Sequence, residues 1–285
     1  MQRIYPLLFV LLWSTGFIGA KFGLPFAQPL SFLLVRYLCV IAVMASLVAI
    51  LRSPWPKDVR QCVHIAITGI LVHAFYLGGV FVAIKQGLPA GITALIVGMQ
   101  PLITACASGK LLGEQVSGRQ WLGLGLGFVG VLMVVSGQLG EVRSLVTMLL
   151  PAIVALLGIT AGTLYQKRFC SRFDLRSGSV IQFSAAALVT VVAVGGFEDF
   201  AIEWSGQFIL ALGWLVLVLS IGAISLLNLL IRSGSAVNVA SLFYLTPPTT
   251  ALVAWFAFDE QLSLIAILGM AIAVGGVYLV GRPAK

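Results

Sequence analysis

The chain has 285 residues, 60% of them hydrophobic and only 9% charged, whereas an average soluble domain is about 25% charged. So little polar side chain cannot cover a fold in water, which makes the lipid bilayer the expected solvent and excludes an ordinary soluble domain. The net charge of +8 comes from basic residues scattered between apolar runs, without the stripe or stacking platform of a nucleic-acid binder.

A membrane-crossing helix needs about 20 mostly apolar residues. Read with that window, the chain offers ten candidates in order: 4–23, 30–51, 62–84, 88–112, 118–137, 147–167, 177–197, 207–231, 235–258 and 263–281. The first follows Met1-Gln2-Arg3 as a signal peptide would, but it lacks a small-residue cleavage site and similar segments follow it, so it reads as a span. Short connections carry the turn residues, among them Pro25, Pro29, Ser53-Pro54-Trp55-Pro56, Gly113, Gly118 and Ser233-Gly234. Cys39, Cys62, Cys106 and Cys170 form no CxxC and lie in or beside apolar runs, as small buried hydrophobes do.

Lysine and arginine in the connections set orientation. With the N-terminus inside and ten alternating spans, 13 of the 17 basic residues fall on the inner side. Lys21, Lys85 and Arg143 fall outside, and Arg36 lies within a span. Glu141, Glu198, Asp199, Glu203, Asp259 and Glu260 gather outside. The expected location is the cell (plasma or inner) membrane, multi-pass, with both termini cytoplasmic.

The halves match at a constant offset of 146: Gly16 with Gly162, Lys21 with Lys167, Pro101 with Pro247, Glu114-Gln115 with Glu260-Gln261, Gly123 with Gly269 and Gly130 with Gly276. An offset holding five spans turns the second half over. The fold class expected is therefore an all-α integral membrane protein of ten transmembrane helices in two inverted five-helix repeats, 4–137 and 150–283. Inverted repeats are a hallmark of secondary transporters.

Pro101 and Pro247-Pro248 lie about halfway along the fourth and ninth spans. Proline within a helix removes a backbone donor and breaks or kinks it, and broken helices at matching positions point to a midplane site. The residues expected to line it are Trp13, Arg36, His73, Tyr76, Gln100, Tyr165, Asn228, Tyr244 and Thr246. Each is polar or amphipathic at membrane depth and needs a partner in protein or substrate. Arg36 has two readings, a site for an anionic group or a tie to helix-end carbonyls. No carboxylate lies deep in a span, and His64 and His73, nine residues apart, fall on opposite helix faces. No metal, no cofactor and no catalytic constellation is expected. Gly123-xxx-Gly127 and Ala271-xxx-Gly275 read as packing seams.

The opening Trp13-Ser14-Thr15-Gly16-Phe17-Ile18-Gly19-Ala20-Lys21, with Arg36, Pro101, Gly113-Glu114 and the glycine-rich fifth helix, resembles an EamA domain, and a weaker second copy runs through Pro247 and Glu260 to Gly276. That resemblance implies the drug/metabolite transporter superfamily, ten helices around a central cavity, and export of amino acids, other metabolites or drugs. It is compatible with proton or counter-solute coupling and with a monomer. Gln182, at the position of Arg36, makes the site asymmetric. A neutral to positive cavity favours neutral, zwitterionic or weakly anionic solutes. The competing class is a membrane scaffold or receptor without transport activity.

Overall fold

A computed structural model describes residues 4–88, 90–136, 145–170, 173–258 and 263–281. Among these the structure is helical: α1 (Tyr5–Gly23), α2 (Pro29–Leu51), α3 (Val59–Lys85), α4 (Ala90–Val97), α5 (Gln100–Leu112), α6 (Gly118–Val135), α7 (Leu145–Phe169), α8 (Leu175–Phe197), α9 (Gly206–Ser233), α10 (Ala236–Ser241), α11 (Thr246–Phe258) and α12 (Leu264–Gly281). Eight helical stretches of the described residues are long and apolar enough to cross a bilayer, and Gly118–Val134 is apolar but shorter. The broken α10–α11 stretch corresponds to the remaining candidate at 235–258.

The elements repeat as the residues do. α2 and α8, α4 and α10, α5 and α11, and α6 and α12 each begin 146 residues apart. Inside α3, Ile70–Leu77 is π-helical, and so is Leu215–Ala223 inside α9, at nearly the same offset. Each proline-marked stretch is interrupted. α4 ends at Val97, Gly98 and Met99 turn, and Pro101 stands in the first turn of α5. Leu242–Leu245 forms a 3-10 link between α10 and α11, and Pro247 and Pro248 stand in the first turn of α11. The prolines thus open new helices, where no intrahelical donor is lost, instead of bending continuous ones.

Among the contacts that join the halves are two pairs of repeat mates. α6 and α12 meet through glycine. A Cβ on Gly123 would stand 2.6 Å from the Gly276 carbonyl oxygen, and one on Gly130 would stand 2.6 Å from that of Gly269. Residue numbers rise along one helix as they fall along the other, so the pair is antiparallel. The sequence pattern misplaced half of this seam. Ala271 and Gly275 are exposed, and the contact face of α12 runs through Gly269, Ala273 and Gly276. Position 275 lies two residues past 273, about 200° around the helix, and so faces outward.

α2 and α8 form the second antiparallel pair. At one end Glu198 accepts from Leu30 N and Ser31 N, each at 2.8 Å, and from Ser31 Oγ at 2.7 Å. This carboxylate satisfies first-turn donors of α2. At the other end Ser177 Oγ donates to Pro54 O at 2.8 Å. The latter end also gathers Arg52, Lys167, Arg168, Arg176 and Arg232. Arg168 donates to Leu111 O at 2.9 Å, Arg232 to Phe173 O, and Glu114 accepts from Ala236 N at 3.0 Å. This is the basic end. At the opposite end Lys85 Nζ donates to Leu24 O at 2.8 Å, and Ala27 bridges Ile202.

Candidate functional site

The first turns of α2 lie at the opposite end, so Arg36, two turns further in, reaches the interior at membrane depth. It is 3% exposed. Its Nε donates to Ser220 Oγ at 2.9 Å, a hydroxyl carried by the π-helical stretch of α9. No carboxylate of the described residues pairs with it. Removing a cation from water costs several kcal/mol unless a partner compensates, and a single neutral acceptor compensates little.

Arg36 forms part of the wall of a small cavity of about 30 Å³, together with Trp13, Phe17, Tyr76, Leu219 and Ile224. The Trp13 and Tyr76 rings lie nearly parallel, 10° apart, with centroids separated by 6.0 Å. Phe243 meets Trp13 edge-on at 5.3 Å. A second, smaller cavity of about 10 Å³ shares Trp13 and Phe17 as walls and is also lined by Val97, Gly98, Phe243 and Thr246. It therefore reaches the helix interruptions of both halves. Flat apolar walls and one buried cation match the chemistry of a solute that is part apolar, part anionic, while the space in this structure is only water-sized.

Of the residues expected at the site, Trp13, Arg36, Tyr76 and Thr246 come together around these cavities. Pro101, Pro247 and Pro248 sit at the interruptions. Gln100 is fully buried beside the smaller cavity, donating to Thr163 Oγ1 at 3.2 Å while its Oε1 has no hydrogen-bond partner. The others point elsewhere. His73 stacks on Phe183 of α8 at 4.0 Å, and its backbone carbonyl accepts from Tyr37 OH at 2.7 Å. Tyr165 lies half-buried at the basic end, its OH 2.7 Å from His64 Nδ1. Asn228 Oδ1 accepts from Gln166 Nε2 at 2.7 Å. Tyr244 turns its ring towards Gly127 of α6, with its OH unpartnered. A 3-10 link advances about 120° per residue, so Tyr244 and Thr246 fall on different faces.

Sequence reasoning missed Phe17, Leu219, Ile224 and Phe243, whose apolar side chains are indistinguishable from core. Ser220 was also missed, although it is the lone hydroxyl in the run Leu215–Ala223. Among the described residues no group of three His, Cys, Asp or Glu could hold a metal.

The profile of the EamA-like transporter family matches twice, over residues 4–136 and 146–282. The chain belongs to the EamA-like transporter family. Within reach of this EamA protein are a relative from Escherichia coli (strain K12), the uncharacterized inner membrane transporter YedA, 28% identical over 95% of this chain and 87% of that one. The uncharacterized transporter YvbV of Bacillus subtilis (strain 168) is 28% identical over 97% and 90%. A protein of Escherichia coli (strain K12) named "Probable amino-acid metabolite efflux pump" is 23% identical over 97% and 93%. A solved crystal structure shares the fold with a TM-score of 0.79 at 20% identity, covering 98% of this chain and 96% of that one. The protein is a multi-pass membrane transporter of this family, and its substrate is a small molecule.

Proposed function

We propose that the protein is a secondary transporter that exports a small metabolite bearing an anionic group across the cytoplasmic membrane by alternating access. The reading uses ten spans in two inverted repeats, 4–137 and 150–283, with both termini and the basic end in the cytoplasm. The antiparallel mates α2–α8 and α6–α12 and the constant offset of 146 in helix starts support the inverted repeat. The basic residues gathered at one end support the orientation. A relative named as an amino-acid metabolite efflux pump supports export and a zwitterionic or weakly anionic solute.

The observation that carries the substrate class is Arg36, buried at the wall of the cavity with a serine as its hydrogen-bond partner and no carboxylate of the described residues beside it. A carboxylate on the solute would complete the charge pair and accept bidentately from the guanidinium. The aromatic walls would cover its apolar part. The test is flux in proteoliposomes loaded with a panel of amino and organic acids beside their amides. Carboxylates are expected to cross and the matching amides to cross at least tenfold more slowly. Arg36→Gln is expected to remove that preference. Equal flux of acids and amides through the unaltered protein refutes the assignment.

A further inference from the structure

The repeat allows the two ends of the bundle to be compared residue by residue, and they are closed differently. At the basic end Lys167, near the end of α7, donates to the carbonyls of Ile231, at 2.9 Å, and Gly234. These are the last carbonyls of α9 and its link to α10. A cation there satisfies orphan acceptors and meets the negative end of the helix dipole. Behind this contact Gln166 bonds Asn228. Gly162 is so close to α3 that a Cβ would stand 2.5 Å from Val72 Cγ2.

The counterparts 146 residues earlier behave in the opposite way. Lys21 is exposed and, among the described residues, makes no hydrogen bond or ion pair. Ala20 and Gly16, the mates of Gln166 and Gly162, line the cavity beside Arg36. The carbonyls equivalent to those of Ile231 and Gly234 belong to Lys85 and Leu88, at the end of α3. The Lys85 ammonium is turned onto Leu24 O and Ala27 O, leaving its own carbonyl end clear of a like charge. The α7-type lysine is thus engaged at the basic end and disengaged at the other, where Lys85 instead ties the end of α3 to the residues after α1.

We infer that Lys167 and Lys21 are alternating latches. The structure is the state in which Lys167 holds the basic end shut. In the opposite state Lys167 lets go, and Lys21 donates to the carbonyls of Lys85 and Leu88 to shut the far end. This rests on the transport reading above, because it assigns the two states between which such a carrier moves.

The test reads the states directly, without a substrate. In the full chain with Cys39, Cys62, Cys106 and Cys170 replaced by alanine, single reporters are placed at Ala20→Cys and at Leu227→Cys. Leu227 is the buried mate of the cavity-lining Phe81. Labelling by a membrane-impermeant maleimide is timed from each side. Lys167→Met is expected to raise labelling of Leu227→Cys from the basic end about tenfold and to slow that of Ala20→Cys, the scale of losing one hydrogen bond to a charged group. Lys21→Met is expected to slow labelling of Leu227→Cys, and the double variant to return the ratio towards that of the parent. If both lysine variants shift the reporters in the same direction, or Lys21→Met shifts neither by more than twofold, the latches do not alternate. The Lys21 arm decides even if Lys167→Met folds poorly, because Lys21 has no hydrogen bond or ion pair among the described residues to lose in this state. Reporter shifts without flux would keep the latches and refute transport; flux without reporter shifts would do the reverse.

Discussion

Adding one methyl at Gly276 tests the helix seam. A Cβ there would stand 2.5 Å from Gly123 O and 2.5 Å from Gly127 N. Ordinary carbon contacts lie at about 3.5–4.0 Å, so the shortfall is about 1 Å. Every atom met is backbone of α6, and no flexible side chain can move aside. The helices must separate, and their close packing along Gly130–Gly269 separates with them. Overpacking of this kind costs about 1–3 kcal/mol. The control is the next residue: a Cβ on Gly275 meets nothing within 4 Å, so Gly275→Ala adds helix propensity of at most about 1 kcal/mol. With about 2–4 °C per kcal/mol for a chain near this size, Gly276→Ala is expected to lower the melting temperature of the detergent-solubilised protein by about 2–12 °C. Gly275→Ala should leave it unchanged or raise it by a few degrees. Equal melting of both variants, or greater damage from Gly275→Ala, would refute the seam.

Three further outcomes are expected. Ser220→Ala frees the Arg36 guanidinium from its hydrogen bond to Ser220, and is expected to weaken carboxylate transport about tenfold in concentration-dependent flux while leaving melting within a few degrees. Tyr244→Phe deletes a buried hydroxyl that has no partner, so the melting temperature should stay level or rise, and a clear fall would show that the hydroxyl is bonded. A cysteine replacing the exposed Asp199 should react with an impermeant maleimide from outside the cell alone, and labelling only from the cytoplasm would overturn the orientation.

Much of the architecture was legible because bilayer physics writes it into the sequence. Apolar runs of span length, prolines at matching depths and the offset of 146 fix where helices start and break, and Pro101 and Pro247 do mark the interruptions. The site was legible where chemistry is unusual for its surroundings. Arg36 and Trp13 stand out in apolar runs and reach the cavity. Which way a side chain faces was not legible beside a break, because a turn or 3-10 link resets the helical phase. Tyr244 therefore faces α6. Tyr165 is not in the cavity wall and pairs with His64. The π-helical stretches at Ile70–Leu77 and Leu215–Ala223 carry no residue signature, being ordinary apolar helix by composition.

Those two stretches give the wall of the cavity a mechanical character of its own. A π-helical turn bonds each residue to the fifth before it instead of the fourth, so it stores surplus chain. Surplus of this sort can be handed along a helix, as a ruck is pushed along a carpet, turning the side chains it passes by about 100° each while both ends of the helix stay fixed. Tyr76 rides on one such stretch and Ser220 on the other. The aromatic face and the hydroxyl that aims the guanidinium are thus mounted on the two π-helical stretches, the places where such a turn of the helix would begin.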